Sequence, residues 1–407
     1  MFDSMTKCSD SDPGLTATSA GTGDDAASAA SLLVFADDWG RHPSSCQHLI
    51  RALLPRHQVY WVNTIGMRKP TFDRATLHRG LGKLRPWLGG TRQAHHGPLP
   101  PNLHVVEPRM WPWFSRQHDR WINRQMLVRE LIRLVRPPSE RLIAVSTLPI
   151  VADLIGVLPV ERWVYYCVDD FSSWPGLDHR TLDRMERKFV ERADTIVAAS
   201  QSLQQRIAGF GRQAALLTHG VDLAHWHPSA APQIPAALAG LEGPLVLFWG
   251  LIDRRMDVAF VRQLSADMQH GTIVLVGPCE NPDPALLATP RVVHLPPVSY
   301  QQLPALAAAA SVLIMPYEDA AVTRSMQPLK LKEYLATGQP AVVRALPSTA
   351  AWSDCLDVVS TPAEFSAVVR QRLVTGLDAI QQSARQRLAD ESWDAKALEF
   401  ERALRGH

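Results

Sequence analysis

The segment Ser311–Val343 constrains the fold of this chain more than any other, because it reads as a strand, a loop, a helix and a second strand. Val312–Met315 is a short apolar run ended by Pro316, which is typical of a buried parallel strand. Pro328 fits the first position of a helix, and Gly338 stops that helix. A helix that starts beyond the carboxyl end of a parallel strand presents free N–H groups to an anion. The segment therefore predicts a Rossmann-like α/β unit with an anion site at the edge of its sheet.

Two residues of this helix indicate what the site could bind. Lys330 adds a cation in the first turn, and Glu333, one turn later, can accept hydrogen bonds from a ribose or sugar hydroxyl. An ordinary crossover helix with a capping proline and a solvated lysine accounts for the same residues. This segment alone leaves both interpretations open.

Two successive series of strands and helices indicate two α/β domains. The first series has strands predicted at Ser31–Ala36, His57–Val62, Leu142–Val145, Trp163–Val168 and Thr195–Ala199, with a helix at Leu49–Leu54. The second has strands predicted at Leu245–Trp249, Thr272–Val276, Val292–Leu295 and Val312–Met315. We expect an N-terminal domain at 31–226, a linker at 227–243, a C-terminal domain at 244–385, a C-terminal helix within 386–407 and a disordered tail at 1–30.

The charge is unevenly distributed along the chain. The net charge is +2, but residues 31–150 contain 18 Lys/Arg against 7 Asp/Glu, which gives +11. Such a basic segment indicates an anionic partner surface. Arg109–Arg136 mixes Trp with Arg, which suits the surface of an anionic membrane, although a basic helix docked on the domain core fits equally well. Nucleic acid is not favoured, because no recognition module accompanies the charge.

Missing motifs argue against several classes of protein. The chain has no GxGxxG after either first strand, no GxxxxGK[ST], no HExxH and no GxSxG. Its five cysteines include no CxxC pair, so we expect neither a zinc site nor a disulfide framework. No apolar run approaches the roughly 18 residues of a membrane span, and residues 1–30 lack the apolar core of a signal peptide. We therefore expect a cytoplasmic protein, with peripheral contact at the inner face of the membrane.

Five segments resemble motifs of one enzyme family. They are ERADTIVAASQSL (191–203), HGVDLAHWHP (219–228), FWGLIDRRMD (248–257), IVLVGP (273–278) and EYLATGQPAVV (333–343). Together they resemble GT-B glycosyltransferases near family 4, or group 1, of the bacterial exopolysaccharide or teichuronic acid type. The resemblance covers residues 160–345. It implies the GT-B fold, in which two Rossmann-like domains face a cleft, the N-terminal domain binds the acceptor, the C-terminal domain binds a nucleotide sugar, and a C-terminal helix crosses back.

One family signature is incomplete in this chain. Many family 4 enzymes carry two glutamates eight residues apart, and here Ser325 stands at the first position and Glu333 at the second. The pattern of Pro328, Lys330 and Glu333 (PxKxxE) is instead similar to a glucuronosyltransferase of the xanthan pathway. The choice between retention and inversion therefore stays open.

The resemblance implies a donor-binding site on the C-terminal domain. Its expected members are Gly250, Arg254, Gly277, Tyr317, Gln327, Pro328, Lys330 and Glu333. We expect Lys330 and Arg254 to stabilise the departing diphosphate, with Arg255 as the alternative to Arg254. Gly250 would let the backbone approach a phosphate closely, unless it is an ordinary turn glycine.

Two carboxylates are expected on the opposite side of the cleft. Asp169 and Asp170 directly follow the strand predicted at Trp163–Val168. Glycosyl transfer to a hydroxyl group needs a base, and the resemblance favours Asp170 over Asp169 for this role. An aspartate that only caps a turn is the competing interpretation.

The loop after the first strand completes the expected site. In the GT-B fold this loop faces the sugar phosphate and the acceptor, and here it holds Asp37, Asp38, Arg41, His42 and Ser44. His42 is a further candidate base, although a histidine in a loop is often only solvated.

The resemblance implies a hexosyltransferase of cell-surface polysaccharide biosynthesis. It would move a sugar from a nucleoside diphosphate to a lipid-linked or polysaccharide acceptor without a metal ion or a cofactor. Two alternatives use the same fold: a nucleotide-sugar epimerase, and a non-catalytic subunit that binds a membrane or a partner transferase.

Overall fold

The computed structural model describes residues 30–40, 44–67, 99–134, 141–174, 176–227, 233 and 235–406. The strands of the first sheet are β1 (Ser31–Ala36), β2 (Val59–Asn63), β3 (Leu103–Val106), β4 (Leu142–Ser146), β5 (Arg162–Cys167), β6 (Thr195–Ala198) and β7 (Ala215–Leu216). Those of the second sheet are β8 (Leu245–Trp249), β9 (Thr272–Val276), β10 (Val292–Leu295), β11 (Val312–Met315), β12 (Ala341–Arg344) and β13 (Asp357–Val359).

Helices connect the strands. The α-helices are α1 (Ser45–Leu53), α2 (Gln117–Leu131), α3 (His179–Arg192), α4 (Gln201–Gly209), α5 (Leu223–Trp226), α6 (Val258–Asp267), α7 (Pro284–Leu287), α8 (Leu303–Ala309), α9 (Ala321–Ser325), α10 (Leu329–Ala336), α11 (Pro347–Ala350), α12 (Pro362–Thr375), α13 (Ala379–Ala384) and α14 (Trp393–Arg405). Short 3₁₀ helices lie at Pro149–Leu154, Ala236–Leu238, Tyr300–Gln302 and Arg385–Glu391.

The two sheets share one topology. The first has the strand order β3-β2-β1-β4-β5-β6-β7 and the second β10-β9-β8-β11-β12-β13, and neighbouring strands are parallel in both. Each order reverses direction beside its first strand, between β1 and β4 and between β8 and β11. In open α/β sheets, ligands bind outside the carboxyl ends of the strands at such a switch point. The topology thus predicts that a ligand binds at the loops that follow these strands.

The predicted strands of the second sheet are confirmed residue for residue at Leu245–Trp249, Thr272–Val276, Val292–Leu295 and Val312–Met315. Most of their residues are buried, because a parallel sheet is covered on both faces. A continuous apolar run is therefore a reliable signal for this kind of strand.

Two helices start at other residues than predicted. The helix predicted at Leu49–Leu54 begins at Ser45, because the Ser44 hydroxyl caps it by accepting a hydrogen bond from the Gln47 N–H over 3.3 Å. Pro328 is the N-cap of its helix and not the first helical residue, which is Leu329.

The last helix packs on the first sheet. Ala397, Phe400 and Leu404 of α14 are buried in the same core as the strands of the first sheet. Val221 and Trp226 already pack in the second core, before the expected start of the linker. The domain boundaries themselves stay predictions, and the expected tail lies outside the described residues except for Ala30.

The Trp- and Arg-rich segment contains a docked helix. Leu127 and Leu131 of α2 are buried in the first core, whereas Trp121 on the same helix is 59% exposed. In the described parts of the chain, every helix is too short or too polar to cross a bilayer.

We predict that Phe400→Ala destabilises the protein by about 3–5 kcal/mol, because it leaves a cavity among side chains of the first core. Phe400 is 1% exposed and its ring lies 5.5 Å from that of Tyr166. Leu398, on the same helix, is 51% exposed, and Leu398→Ala should change stability by no more than about 0.5 kcal/mol. Urea denaturation followed by circular dichroism measures both. Equal effects would mean that α14 does not complete this core.

Candidate functional site

The cation Lys330 lies at the carboxyl edge of the second sheet. Its Nζ donates a hydrogen bond to the Tyr317 hydroxyl over 2.7 Å and sits 4.2 Å from the centre of the Phe248 ring. Tyr317 itself is buried, so the hydroxyl that holds the ammonium group has a fixed position. Lys330 is thus positioned before any ligand arrives, while its side chain stays half-buried at the edge.

The two predicted glycines have a packing role here. Gly250 follows β8 with φ +134°, and a Cβ at this position would collide with Lys330 Nζ. Gly277 follows β9 with φ +142°, and a Cβ there would collide with the Gly250 carbonyl oxygen. Only glycine fits both positions. The pair therefore makes room for the ammonium group at the switch point.

Glu333 is held by a tryptophan that the sequence analysis did not single out. Trp249 Nε1 donates a hydrogen bond to Glu333 Oε2 over 3.2 Å. Burial raises the pKa of Glu333 to about 7, against the effects of this hydrogen bond and of the Lys330 charge. The Trp249 ring stacks on Trp226 at 5.3 Å and contacts Tyr334 edge-on at 4.3 Å. The sequence signal was present, since Trp249 directly precedes the glycine of the FWG motif.

The two adjacent arginines differ in their surroundings. Arg254 is exposed, and its role in donor binding stays a prediction. Arg255 is 8% exposed, and its Nε contacts both carboxylate oxygens of Asp253 at 3.0 Å. Its guanidinium lies 4.9 Å from the centre of the Trp174 ring and 5.8 Å from that of Tyr317. Because Trp174 follows β5 and Tyr317 follows β11, Arg255 reaches from one sheet edge to the other.

Asp169 faces this arginine from the first sheet. It follows β5 and is partly buried. Burial raises the pKa of Asp169 to about 7; the positive charge of Arg255 opposes this, and the charges of Asp37 and Asp170 add to it. Asp37, which directly follows β1 in the expected acceptor loop, is therefore a neighbour of Asp169.

Asp170 is engaged in a local turn. Its Oδ1 accepts hydrogen bonds from the Ser172 N–H over 3.1 Å and from the Ser172 hydroxyl over 2.6 Å. Arg206 Nε lies 3.5 Å from the same oxygen. The carboxylate of Asp170 is thus largely committed to holding the turn, whereas Asp169 faces Arg255.

The loop after β1 is only partly described. The Asp38 carbonyl accepts a hydrogen bond from Gln47 Nε2 over 3.2 Å, and Ser44 caps α1. Arg41 and His42 lie outside the described residues, so their expected roles are untested. Gln327 and Pro328 lie where the chain enters α10, with Pro328 buried and Gln327 partly exposed.

No family model matches the chain. A curated relative, the "Putative teichuronic acid biosynthesis glycosyltransferase TuaH" of Bacillus subtilis (strain 168), is 29% identical over 180 residues. The match covers 42% of this chain and 45% of the relative, so the chain spans less than half the length of that protein.

Solved structures resemble almost the whole chain. Sucrose-phosphate synthase from Thermosynechococcus elongatus has a TM-score of 0.66 at 16% identity, covering 93% of this chain and 98% of that one. Anabaena Alr3699/HepE, in complex with UDP and glucose, has a TM-score of 0.65 at 14% identity, covering 93% of this chain and 100% of that one. At these identities the likeness concerns the fold alone, and it confirms the predicted GT-B architecture of two Rossmann-like units.

We predict that Glu333→Gln stabilises the protein at neutral and alkaline pH. The pKa of Glu333 is about 7 in the folded protein and about 4.3 in an unfolded chain. The folded state therefore keeps a proton that the unfolded chain releases, and the free energy of unfolding falls as the pH rises between these values. The variant should be more stable than the parent protein by on the order of 1–3 kcal/mol near pH 8 and equally stable near pH 4.

Urea denaturation at the two pH values provides the measurement. Glu191→Gln, at an exposed position, is the control and should show no such dependence on pH. If the difference in the free energy of unfolding between Glu333→Gln and the parent is the same at both pH values, Glu333 does not hold the extra proton.

Proposed function

We propose that this protein is a glycosyltransferase that moves a sugar from a nucleoside diphosphate to a hydroxyl group of an acceptor. One observation carries the proposal: two positioned cations, Lys330 and Arg255, lie at the edge of the second sheet, and a carboxylate with a pKa near 7, Asp169, lies opposite at the edge of the first. Diphosphate departure needs positive charge, and activation of a hydroxyl needs a base.

The donor side is suited to a diphosphate. Lys330 supplies a point charge and Arg255 a planar guanidinium, which can bind two phosphate oxygens at once. The N-terminus of α10 lies beside them and favours negative charge. In this proposal Tyr317 positions Lys330, Gly250 and Gly277 keep space for the phosphates, and Glu333 accepts hydrogen bonds from a hydroxyl group. Arg254, Gln327 and Pro328 remain proposed members of the same site.

Asp169 is the proposed base. In the reaction, the acceptor oxygen bonds to the anomeric carbon, the bond from that carbon to the diphosphate oxygen breaks, and the acceptor proton passes to the carboxylate. A base works best when its pKa lies near the working pH, as it does for Asp169. Asp170 remains the alternative base, with His42 as a third candidate. Asp38, Arg41 and Ser44 are proposed to line the acceptor loop.

The substrates are proposed from the relatives. HepE is named in complex with UDP and with UDP-glucose, which makes a uridine nucleotide the first donor to test. The teichuronic acid relative supports a lipid-linked or polysaccharide acceptor at the cell surface. The proposal assigns no metal to the transfer, since Lys330, Arg255 and the start of α10 supply the positive charge.

A membrane location is part of the proposal. The basic segment 31–150 and the exposed Trp121 support peripheral contact with an anionic membrane, on its cytoplasmic face. Such contact would bring the acceptor loop near a lipid-linked substrate.

In the first test the full chain is titrated with UDP, GDP and ADP, with and without Mg²⁺, and binding is measured as a change in the melting temperature. A ligand that binds the folded state raises the melting temperature. We expect one nucleotide, UDP before the others, to raise it selectively, and we expect Mg²⁺ not to change that increase. Lys330→Ala should weaken nucleotide affinity by about tenfold or more, since it removes a charged phosphate contact.

Arg254→Ala and Arg255→Ala serve as a matched pair in the same titration. If Arg255 is the phosphate ligand, its loss weakens binding and the loss of Arg254 does not. No shift with any nucleotide would contradict the donor site and favour the non-catalytic subunit.

A second pair of variants tests the base. Asp169→Asn should abolish sugar transfer while nucleotide affinity is retained, because the amide cannot accept the proton. Asp170→Asn should mainly lower stability, by about 1–3 kcal/mol, because it weakens the turn bonds to Ser172 and the pairing with Arg206.

Product formation from a UDP-sugar and the thermal shift with UDP are measured on both variants. Full transfer activity in Asp169→Asn would remove it as the base, and loss of transfer in a stable Asp170→Asn would return that role to Asp170.

A further inference from the structure

A cavity of about 330 Å³ lies in the helical layer of the first sheet, away from the candidate site. Arg124 of α2, and Lys188 and Arg192 of α3, supply three cationic side chains to its wall. Asp153, in the 3₁₀ helix after β4, supplies the one carboxylate. The rest of the lining is aliphatic or glycine, so the cavity is strongly biased toward an anion.

The carboxylate does not neutralise this charge. Asp153 is shared by two cations, since Lys188 Nζ contacts its Oδ1 and Arg120 Nε lies 3.3 Å from its Oδ2. Within the described residues, neither Arg124 nor Arg192 forms an ion pair with any carboxylate. Four cations and one anion leave a local charge of +3.

A buried donor in the wall lacks a partner. Arg124 Nε is shielded from solvent and makes no hydrogen bond within the described part of the protein. A buried polar group of this kind costs on the order of 1–3 kcal/mol, and more when it is charged. An anion in the cavity would satisfy it.

The backbone is shaped around one of the cations. Gly156, at the turn after the 3₁₀ helix, has φ +78°, and a Cβ there would come within 2.9 Å of Arg192 Nη2. Glycine at this turn therefore lets the Arg192 guanidinium lie against the backbone at the rim of the cavity. A larger residue would strain the turn and displace the guanidinium.

From these features we propose that the cavity is a second anion site and that it binds a phosphate group. Two guanidinium groups match phosphate oxygens in charge and in planar geometry. The volume is at the small end of ligand sites, which suits a phosphate-bearing headgroup or a small phosphate ester better than a nucleotide sugar.

The site is separate from the candidate donor site. Arg192 is the last residue of α3 and lies just before the start of β6. Two residues later, the Asp194 N–H donates a hydrogen bond to the carbonyl of Trp163, near the start of β5. The cavity therefore extends toward the amino ends of the strands, whereas Lys330 and Asp169 lie at carboxyl ends. Trp121, which lies one turn before Arg124 on α2, is exposed. A phospholipid headgroup and a soluble phosphate compound are the two sources of this one chemistry.

The test uses the full chain carrying Lys330→Ala, so that the donor site does not contribute to phosphate binding. Inorganic phosphate is titrated by calorimetry, and vesicles of phosphatidylcholine, with or without phosphatidylglycerol, are used in co-sedimentation. Adding Arg124→Gln and Arg192→Gln should weaken phosphate binding by about tenfold or more. The control adds Arg129→Gln and Arg180→Gln, which remove the same charge from exposed positions on the same two helices.

Each outcome has one meaning. If the cavity variant loses both phosphate and phosphatidylglycerol vesicles while the control keeps them, the site takes a lipid headgroup. If the cavity variant loses phosphate binding but still binds the phosphatidylglycerol vesicles, the phosphate group belongs to a soluble compound. Equal phosphate affinity in the two variants, or no phosphate binding in the parent, overturns the proposal. If the double substitution prevents folding, the same titration is made with Arg192→Gln alone, which changes an exposed position.

Discussion

A buried lysine fixes the helix on which the candidate site depends. Lys332 is 2% exposed, and its Nζ donates hydrogen bonds to the His219 carbonyl and to Thr218 Oγ1, the latter over 3.2 Å, and pairs with Glu391. Burial lowers the pKa of Lys332 to about 8, and the charge of Glu391 opposes that shift. Breaking such a pair by removing one partner leaves an uncompensated buried charge, which is costly. The rotation of α10 about its axis is therefore firmly set.

That rotation decides which residues reach the cleft. Successive residues on a helix point about 100° apart, so one helix can serve several surroundings at once. Leu331 and Tyr334 face the second core, Lys332 faces the segments that join the two halves, and Lys330 and Glu333 are left for the sheet edge. The charge pattern of the site thus follows from packing that lies behind it.

Arg255 couples the two sides of the cleft. It lies over Trp174 and Tyr317 and opposes the rise in the pKa of Asp169. In the proposed reaction, a diphosphate that neutralises Arg255 weakens this influence on Asp169. Donor binding would then make the carboxylate a stronger base, so the two halves of the site act in sequence.

The sequence predicts the second sheet, α10 and the position of the paired aspartates, because buried strands are continuous apolar runs and polar residues at their carboxyl ends meet at one edge. It does not distinguish Arg255 from Arg254, since packing of a loop against another domain decides which neighbour turns inward. Trp249 is overlooked in spite of its place in the FWG motif, because an aromatic residue at the end of a strand is also typical of the core. The short edge strand β3 is missed because its residues are only partly buried.

The chain crosses between its two halves twice, and the crossings lie side by side. Val221, in the first crossing, forms a parallel β-bridge with Ser392, in the second. The Val221 N–H donates a hydrogen bond to the Glu391 carbonyl over 2.8 Å. The second half is thus an insertion within the first, whose core is completed only by Phe400 and its neighbours near the end of the chain. During synthesis, the inserted half emerges whole from the ribosome before its host can close, so it is expected to fold first.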